Sequence, residues 1–491
     1  MEIKLINKEP QNANIVAGLF DPSQISEHPL LKTLGKEDIT YVTQIAKKAD
    51  LNKGKVVALR LPSNPERVVI LLGLGEKDAW NNRRLMLAAR KVVFAAKEAR
   101  SKNLSISLAD FALKGLDSTQ VLGLVAQNLL MADYAYLKHK EIPKEGWPQI
   151  KAVNIFEVKS SPALTNALKE ALIIGKAVNG CRDLSDTPGG EMTPALLAKA
   201  ALRVAKETPG LKIKVLDEIQ IKKLGMGGVI GVSQGSVEKP RFIILEYGPS
   251  NKRPLVFVGK GVTFDTGGVN IKPDSSSLTM HMDMSGGAAV IHALEAVAKL
   301  KLPVRVIGLI PAVENMPSGS SYRPGDLLKT YSGKTIEVLH TDAEGRVILA
   351  DALGYAKDYK PQIVVDVATL TGAAVGALGQ RMSALFTNKD ELLEVGKKVG
   401  DRSGDFVWPM PLWDEYDEEI KGTFADVANV GKTRYGGAIT AAAFLKQFVG
   451  DYPWMHLDIA PTMTSIEGQY LAKGAAGAGV RFLVELARQY K

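Results

Sequence analysis

The sequence predicts an α/β protein with two domains: a smaller N-terminal α/β domain, and a larger C-terminal domain in which helices flank a central, mostly parallel sheet. The chain has 491 residues, which is too long for one ordinary hydrophobic core. Strand-like apolar runs alternate with helical patterns along it, and near-continuous apolar strands between helices are typical of buried parallel sheets. A polar, proline-containing stretch, 139–153, interrupts this alternation. We therefore predict a first domain at 1–160 and a second at 161–491.

The regular pattern of the first domain begins with two strand-like runs, KVVALRL (55–61) and ERVVILLGLG (66–75). A long basic helical pattern, 82–102, follows them, and LSISL (104–108) is again strand-like. This order predicts a small sheet covered by helices.

The second domain begins with a helical segment at 162–184 and has another at 285–300. Its strand-like runs are LKIKVL (211–216), RFIILEY (241–247), PLVFVG (254–259), VRVIGLI (304–310), TIEVL (335–339) and QIVVDVATL (362–370). Active sites in such sheets lie at the carboxyl ends of the strands, where the loops emerge. Functional residues are therefore expected in the loops that follow these runs.

The composition indicates a soluble globular protein, with 46% apolar and 23% charged residues. The single cysteine, Cys181, excludes an internal disulfide and favours a reducing compartment. The first residues lack the pattern of a signal peptide, and no run approaches eighteen uninterrupted apolar residues, which argues against a membrane span. We therefore expect a cytoplasmic protein.

The net charge of +9 is concentrated in the first third of the chain, where 24 Lys+Arg stand against 17 Asp+Glu. Part of the excess lies on the helical pattern 82–102, whose bases are Arg83, Arg84, Arg90, Lys91, Lys97, Arg100 and Lys102. Two interpretations remain. The bases form either a solvated helix face or a nucleic-acid contact, and the second would make this domain part of a DNA-binding regulator.

The segment HTDAEGR (340–346) places two carboxylates, Asp342 and Glu344, on either side of one alanine and adds Arg346 directly after them. The six histidines form no HExxH motif, and one cysteine cannot build a thiolate cage. A metal site in this chain would therefore consist mainly of carboxylates. Two divalent ions that share carboxylates can hold a nucleophilic water between them.

The other candidates lie in the segment 258–287. Lys260 and Asp265 follow the strand-like run PLVFVG, and Lys272 and Asp283 come further along. Clustered carboxylates repel one another unless cations lie among them. The pattern therefore indicates either a metal site or an acidic loop that is paired by its own lysines and arginine.

These residues stand in motifs that closely resemble those of the leucyl aminopeptidase (cytosol aminopeptidase) family of two-metal exopeptidases. The motifs are GKGVTFDTGG, MDM and TDAEGR, together with NGCRDLSDTPGGEMTP, GMGGVIGVSQGS, GGAITAAAFLKQFV and WMHLDIA. The resemblance covers roughly 160–491, and the first domain is similar only in outline. It implies an aminopeptidase that removes leucine and other bulky apolar residues from peptides.

The resemblance also implies roles for individual residues. The ligands of two divalent ions, Zn²⁺ or Mn²⁺, would be Lys260, Asp265, Asp283, Asp342 and Glu344. Asp265 and Glu344 would bridge the ions. Lys260 and Asp283 would complete the tighter site, and Asp342 would serve the more exchangeable one. A hydroxide bridging the two metals would attack the scissile carbonyl.

Two further residues are catalytic by the same resemblance. Lys272 would stabilise the oxyanion, and Arg346 would hold a bicarbonate that acts as general base. The resemblance also implies a homohexamer, a dimer of trimers with the catalytic domains at its centre.

The matching side-chain pocket is apolar, and methionine walls adapt to varied apolar shapes. A plain core role for the same residues is the alternative. The residues are Met280, Thr369, Gly372, Ala460 and Met463. Two departures, His340 where the family usually has asparagine and His281 where it has a lysine or arginine, leave substrate preference and pH profile open.

Motifs of other protein classes have less support in the sequence. GVSQG (231–235) fits a nucleophile elbow around Ser233, but an elbow needs a preceding strand, and GMGGVI is a poor one. GLGEKD lacks the glycines of a dinucleotide fingerprint. The GKT triplets 333–335 and 431–433 lack the first glycine of a P-loop, so nucleotide-binding motifs are not supported.

Overall fold

The computed structural model describes residues 1–8, 13–51, 54–157 and 161–490. The described chain forms two units. The first unit comprises Met1–Lys176 and returns at Ile466–Lys473, and the second comprises Ala177–Ser465 and Gly474–Lys491. The boundary expected at 160 touches residues 158–160, which lie outside the described residues, and it stays a prediction.

The first unit contains a six-stranded sheet with helices packed on it. The strands are β1 (Glu2–Ile6), β2 (Asn14–Leu19), β3 (Val56–Leu61), β4 (Asn64–Gly73), β5 (Asn103–Ser107) and β6 (Ala152–Phe156). The helices are α1 (Lys36–Lys48), α2 (Asn82–Glu98) and α3 (Ser118–Asp133), and α4 (Pro162–Ser185) begins in this unit. The strand order is β1-β6-β5-β2-β4-β3, parallel except for the edge strand β3.

Helix α2 begins where the Asn81 side chain accepts a hydrogen bond from the backbone N–H of Arg84, as N-cap asparagines do. Three of its bases bind within the same unit. Buried Arg90 donates to Asn128 Oδ1 (2.8 Å), Lys91 to the carbonyl of Gly54 (2.8 Å), and Lys97 to the carbonyl of Asp133 (2.7 Å). The basic pattern is therefore partly internal structure.

The second unit contains most of the helices and two sheets. Its helices are α5 (Pro194–Glu207), α6 (Glu218–Lys223), α7 (Gly227–Ser233), α8 (Asp274–Ser277), α9 (Ser285–Lys299), α10 (Glu344–Ala356), α11 (Gly372–Leu378), α12 (Glu391–Ser403), α13 (Gly437–Val449) and α14 (Val480–Gln489). Its strands are β7 (Lys212–Leu216), β8 (Arg241–Tyr247), β9 (Leu255–Gly259), β10 (Gly261–Asp265), β11 (Val306–Asn315), β12 (Leu327–Lys329), β13 (Thr335–Glu337), β14 (Ile363–Ala368), β15 (Ser383–Thr387), β16 (Val407–Pro409), β17 (Val427–Ala428) and β18 (Trp454–Asp458).

The large sheet of this unit has the order β16-β15-β18-β14-β9-β11-β8-β7, and β10 pairs with β11. Its middle strands β18, β14, β9 and β11 are parallel, whereas β8 and β7 on one side and β15 on the other are joined antiparallel. Strands β9 and β14 are buried along their whole length and are almost entirely apolar, as expected for strands covered on both faces. The central part of the sheet is thus parallel, as predicted.

A second, three-stranded sheet has the order β12-β13-β17. The first three residues of the run TIEVL form β13 in this small sheet. HTDAEGR therefore follows a strand outside the large sheet. Among the described residues, no helix is long and apolar enough to cross a lipid bilayer.

Candidate functional site

The candidate residues come from four separate places in the second unit. Lys260 lies between β9 and β10, Asp265 ends β10, and Asp283 lies on the turn before α9. Glu344 is the first residue of α10, and Asp342 precedes it by two. The parallel pairing of β9 and β10 with β11 brings the first of these loops to the carboxyl ends of the middle strands, where sites in such sheets are built.

The glycine of the TDAEGR motif has a steric reason. A Cβ built on Gly345 would lie 2.4 Å from Cε of Lys260, closer than non-bonded carbon atoms pack. Only glycine therefore lets the Lys260 side chain cross the start of α10 and reach the acid of Glu344.

Each of the two lysines contacts two carboxylates. Lys260 Nζ lies 2.8 Å from Asp283 Oδ1 and 2.9 Å from Glu344 Oε1, and it donates to the carbonyl of Thr369 (2.9 Å). Lys272 Nζ lies 2.8 Å from Asp265 Oδ2 and also contacts Asp342 Oδ1. Four carboxylates and two amine nitrogens from distant parts of the sequence thus converge on one place.

Three of the acids have the spacing of a metal site. One carboxylate oxygen from each of Asp265, Asp342 and Glu344 lies within 4.8 Å of the other two. Oxygen ligands in such a group suit hard divalent cations such as Mn²⁺ and are also found on Zn²⁺.

Hydrogen bonds fix the orientation of Asp265. Its Oδ1 accepts from the backbone N–H of Gly267 (2.8 Å) and from Nδ2 of Asn315 (2.8 Å), which also donates to the carbonyl of Thr341 (3.0 Å). Tyr322 donates its hydroxyl to the same carbonyl (2.7 Å). Sequence reasoning missed Asn315 and Tyr322. The position of Asn315 at the end of β11, next to the acidic loops, was the one signal available for it.

Asp283 is oriented by Thr369, which the sequence assigned only to the side-chain pocket. The Thr369 hydroxyl donates to Asp283 Oδ1 (2.6 Å). The second oxygen, Asp283 Oδ2, is buried and has no hydrogen-bond partner among the described residues. A buried carboxylate oxygen without a partner costs free energy, and a cation would satisfy it. The donor set present therefore fits divalent metal ions.

The charged groups of this cluster shift one another's pKa values. Burial raises the pKa of Asp283 to about 7, against the opposing effect of Lys260. Burial and the charges of Glu344 and Asp283 also raise the pKa of Asp265. Burial alone would raise the pKa of Glu344, but the two lysines outweigh it and lower that pKa. The acids thus retain mutual repulsion even with both lysines present, and additional positive charge would relieve it.

The same charges act on Lys260. Burial would lower its pKa, but Asp283, Glu344 and Asp265 outweigh burial and raise it, so this nitrogen carries its proton. A metal ligand must be the free amine. Any role of Lys260 as a ligand therefore requires the incoming dication to displace that proton.

Arg346 lies buried in the first turn of α10. Its Nη1 donates to the carbonyl of Asn429 (2.9 Å), and its Nε has no hydrogen-bond partner among the described residues. Burial lowers the pKa of Arg346 to about 10, although the charges of Glu344, Asp458 and Asp342 act in the other direction. The unpartnered N–H fits an additional small anion such as bicarbonate.

Asn429, which the sequence analysis missed, also orders the HTDAEGR loop. Its Oδ1 accepts from the backbone N–H groups of Leu339 and His340, and its Nδ2 donates to the carbonyl of His340 (2.7 Å). The ring nitrogen Nδ1 of His340 in turn accepts from the N–H of Asp342 (3.2 Å). His340 is therefore part of the loop that positions Asp342.

The five residues assigned to the side-chain pocket lie on loops near the same strand ends. Thr369 and Gly372 follow β14, and Ala460 and Met463 follow the neighbouring parallel strand β18. Met280 lies on the turn that leads to Asp283. Thr369 is buried, whereas the two methionines and Ala460 are half-buried and Gly372 is exposed. Partial exposure is compatible with an open pocket wall rather than a closed core.

Ser233 does not have the geometry of a nucleophile. The segment GMGGVI leads into helix α7 and is not a strand, so no strand runs directly into Ser233. Its hydroxyl donates to the carbonyl of Ile230 (3.0 Å) in the same helix. The elbow required of a serine hydrolase is therefore not formed here.

Known proteins are similar to this chain over most of its length. A family model described as the catalytic domain of the cytosol aminopeptidase family matches residues 179–484, and the model of that family's N-terminal domain matches 27–143. A probable cytosol aminopeptidase of Nitrosococcus oceani is 38% identical over 99% of this chain and 98% of its own. One of Syntrophotalea carbinolica is 43% identical over 87% of this chain and 86% of its own.

Solved structures give similar matches. A mutant of tomato leucine aminopeptidase superposes with a TM-score of 0.88 at 31% identity, covering 100% of this chain and 96% of its own. The bottromycin maturation enzyme BotP in complex with Mn superposes with a TM-score of 0.84 at 33% identity, covering 97% of this chain and 99% of its own.

Proposed function

Because the chain belongs to the cytosol aminopeptidase family, a family of metal-dependent aminopeptidases, we propose that it removes N-terminal amino acids from peptides with a preference for leucine and other bulky apolar residues. The observation that carries the proposal is the convergence of four carboxylates on Lys260 and Lys272. Four carboxylates against two lysines leave mutual repulsion that further cations would relieve.

Two divalent ions would be held by Lys260, Asp265, Asp283, Asp342 and Glu344. When bound, they would acidify a water molecule, polarise the scissile carbonyl and bind the free α-amine of the substrate. Asp265 and Glu344 are the two acids assigned to both ions, which is supported by their closeness to each other and to Asp342. Manganese and zinc are the candidate metals, and the manganese complex of the BotP structure favours testing manganese first.

Lys272 is the proposed stabiliser of negative charge on the carbonyl oxygen. Its pKa is raised because Asp265 and Glu344 outweigh the effect of burial, so it keeps its proton and its charge. Its side chain is 14% exposed, compared with 4% for Lys260, which supports contact with a substrate. A fixed charge aimed at a developing oxyanion is among the largest contributions to catalysis.

Arg346 is proposed to hold a bicarbonate that takes a proton from the attacking water. The unpartnered Nε and the planar guanidinium suit an oxyanion. Substrate choice would come from Met280, Thr369, Gly372, Ala460 and Met463, whose two methionines adapt to leucine-like and methionine-like side chains.

The decisive experiment is an assay on leucine-p-nitroanilide after removal of metal and after its return. We expect activity to vanish with chelation and to reappear with Mn²⁺ or Zn²⁺, and N-acetyl-leucine-p-nitroanilide to stay uncleaved because its amine is blocked. Ser233→Ala is the matched control and should keep full activity. Activity that survives complete metal removal, or that Ser233→Ala abolishes, would contradict the proposal.

Assembly and location are proposed on the same family basis. We expect a homohexamer in the cytoplasm. Cys181 is free and buried, which agrees with a reducing compartment. A clean monomer in analytical ultracentrifugation at micromolar concentration would overturn the hexamer. The DNA-binding alternative has less support, since Arg90, Lys91 and Lys97 bind within the first unit.

A further inference from the structure

The first unit contains a cavity of about 450 Å³ at the carboxyl end of strand β4. One wall is the turn Gly73-Leu74-Gly75-Glu76 that follows the strand, and another is the face of α2 that carries Arg84 and Lys91. The returning segment Ile466–Lys473 closes it with Tyr470. Pockets of this volume accept a ligand of drug or cofactor size, and the carboxyl ends of parallel strands are where α/β sheets bind ligands.

Two cations reach this cavity. Lys91 Nζ lies 5.1 Å from the centre of the Tyr470 ring and donates to the carbonyl of Gly54. These contacts hold its charge at the cavity wall. Arg84 is exposed, and its five N–H donors are suited to a bidentate contact with phosphate. Glu76, which also lines the cavity, contributes an acceptor.

Two aromatic rings line the same cavity, and both are fixed by the surrounding structure. Trp80 packs edge-to-face on Phe20, with ring centres 5.4 Å apart, and its indole N–H donates to the carbonyl of Ala112 (3.0 Å). Tyr470 packs against the edge of Phe94 at 5.8 Å. Rings held in this way offer flat surfaces for stacking at little further cost in conformational entropy.

We infer that this cavity binds a mononucleotide. The rings of Trp80 and Tyr470 stack on the base, because every base has an aromatic face. Arg84 and Lys91 bind the phosphate, and Glu76 accepts a hydrogen bond from a ribose hydroxyl, as acidic residues do in other nucleotide sites. The turn lacks the glycine fingerprint that cradles a pyrophosphate on backbone N–H groups. Here the side chains of Arg84 and Lys91 take the place of that cradle. This favours a ligand with one phosphate over a ligand with a pyrophosphate. The inference is independent of the proposed peptidase activity.

The test is isothermal titration of the full chain with adenosine monophosphate. We expect saturable binding to one site per chain, with adenosine and inorganic phosphate each binding at least about tenfold more weakly, since each fragment loses one half of the contacts. No saturation at millimolar nucleotide would overturn the inference. Equal binding of free tryptophan or phenylalanine would overturn it as well, because those ligands need no phosphate contact.

Matched variants locate the site. Arg84→Gln should weaken nucleotide binding by about 10–100-fold, the size of a lost charge-assisted contact. Arg83→Gln removes the same charge from the neighbouring exposed position, which does not line the cavity, and should change binding less than about twofold. Tyr470→Phe should bind normally, and Tyr470→Ser should bind about tenfold more weakly. Equal effects of the two arginine variants at unchanged melting temperature would overturn the assignment.

Discussion

The candidate site has two halves built from the same chemical parts, yet they differ in burial. In the inner half, Lys260 contacts Asp283 and Glu344, and its side chain is 4% exposed. In the outer half, Lys272 contacts Asp265 and Asp342, with exposures of 14% for the lysine and 29% for Asp342. Each half holds one of the two acids proposed to be shared between both metal ions.

This difference in burial supports the separate tasks that the family resemblance implies for the two lysines. A buried amine among buried acids can exchange its proton for a metal ion but cannot easily reach a substrate. A partly exposed lysine keeps access to a substrate, and the neighbouring, partly exposed Asp342 would bind its proposed ion less tightly because water competes. The inner half is thus suited to permanent metal binding and the outer half to catalysis and exchange.

The largest expected effect comes from removing an acid that joins the halves. Asp265→Ala and Glu344→Ala should each lower turnover by about 10³-fold or more, because each carboxylate serves both ions. Metal content should fall in the same preparations. Asp274 is an exposed acid of the same loop. Its variant Asp274→Ala is the control and should keep near-normal turnover and metal content. Either shared-acid variant with two metals and ordinary turnover would refute the ligand assignment.

Substitutions of the two lysines should have clearly different effects on turnover and metal content. Lys272→Ala is expected to lower the turnover number by about 10²–10³-fold with both metals retained, since it removes a charge donor but no ligand. Lys260→Ala should instead lose metal. Turnover and metal stoichiometry measured on the same samples make the distinction. Metal loss in the Lys272 variant would mean that the halves do not divide their tasks as proposed.

Arg346 should have a smaller effect, because its proposed role acts through a bound anion. Arg346→Ala is expected to lower turnover by about 10–10³-fold while metal content and melting temperature stay normal, and the defect should respond to added bicarbonate. Arg346→Lys keeps the charge without the planar fork, and its turnover should lie between those of the unaltered protein and Arg346→Ala. Depleted metal with a normal rate per bound pair would instead indicate that Arg346 only neutralises Asp342 and Glu344.

The smallest effect is predicted for Asp342, the partly exposed acid of the outer half. Asp342→Ala should weaken the binding of one ion by about 10–100-fold, because the other proposed ligands of that ion remain, and excess metal should restore most activity. Excess metal should restore less activity to Asp283→Ala, in the inner half. Titrating both variants with metal after dialysis, and measuring activity, compares Asp342→Ala with Asp283→Ala. Equal rescue of both variants would remove the distinction between a tight and an exchangeable ion.

The sequence anticipated much of the fold. The runs at 241–247, 254–259 and 362–370 correspond closely to β8, β9 and β14, and the helical segments at 162–184 and 285–300 to α4 and α9. These elements are long and strongly apolar, so their pattern is unambiguous. Strand β1 (EIKLI), in contrast, was not predicted: it lies at the edge of its sheet and has one buried residue, Ile3. Such short edge strands exist because a neighbour pairs with them.

The site was anticipated through motifs, whereas its supporting residues were not. Asn315 and Asn429 fix Asp265 and the loop before Asp342, yet neither stands in a sequence motif, and only the strand-end position of Asn315 offered a signal. Both act across a separation of 50 or 90 residues. A hydrogen bond between residues so far apart depends on strand order, which local composition does not encode.

The sequence by itself determined the α/β class, the apolar middle strands, the acidic loops and, through TDAEGR with GKGVTFDTGG, the family. Only the tertiary structure decided that Lys260 is enclosed by Asp283 and Glu344 while Lys272 stays partly exposed with Asp265 and Asp342. It also decided that several bases of α2 bind within their own unit. The physical reason is that hydrophobic periodicity and glycine positions act within a few residues, whereas charge pairing and burial depend on which distant strands become neighbours.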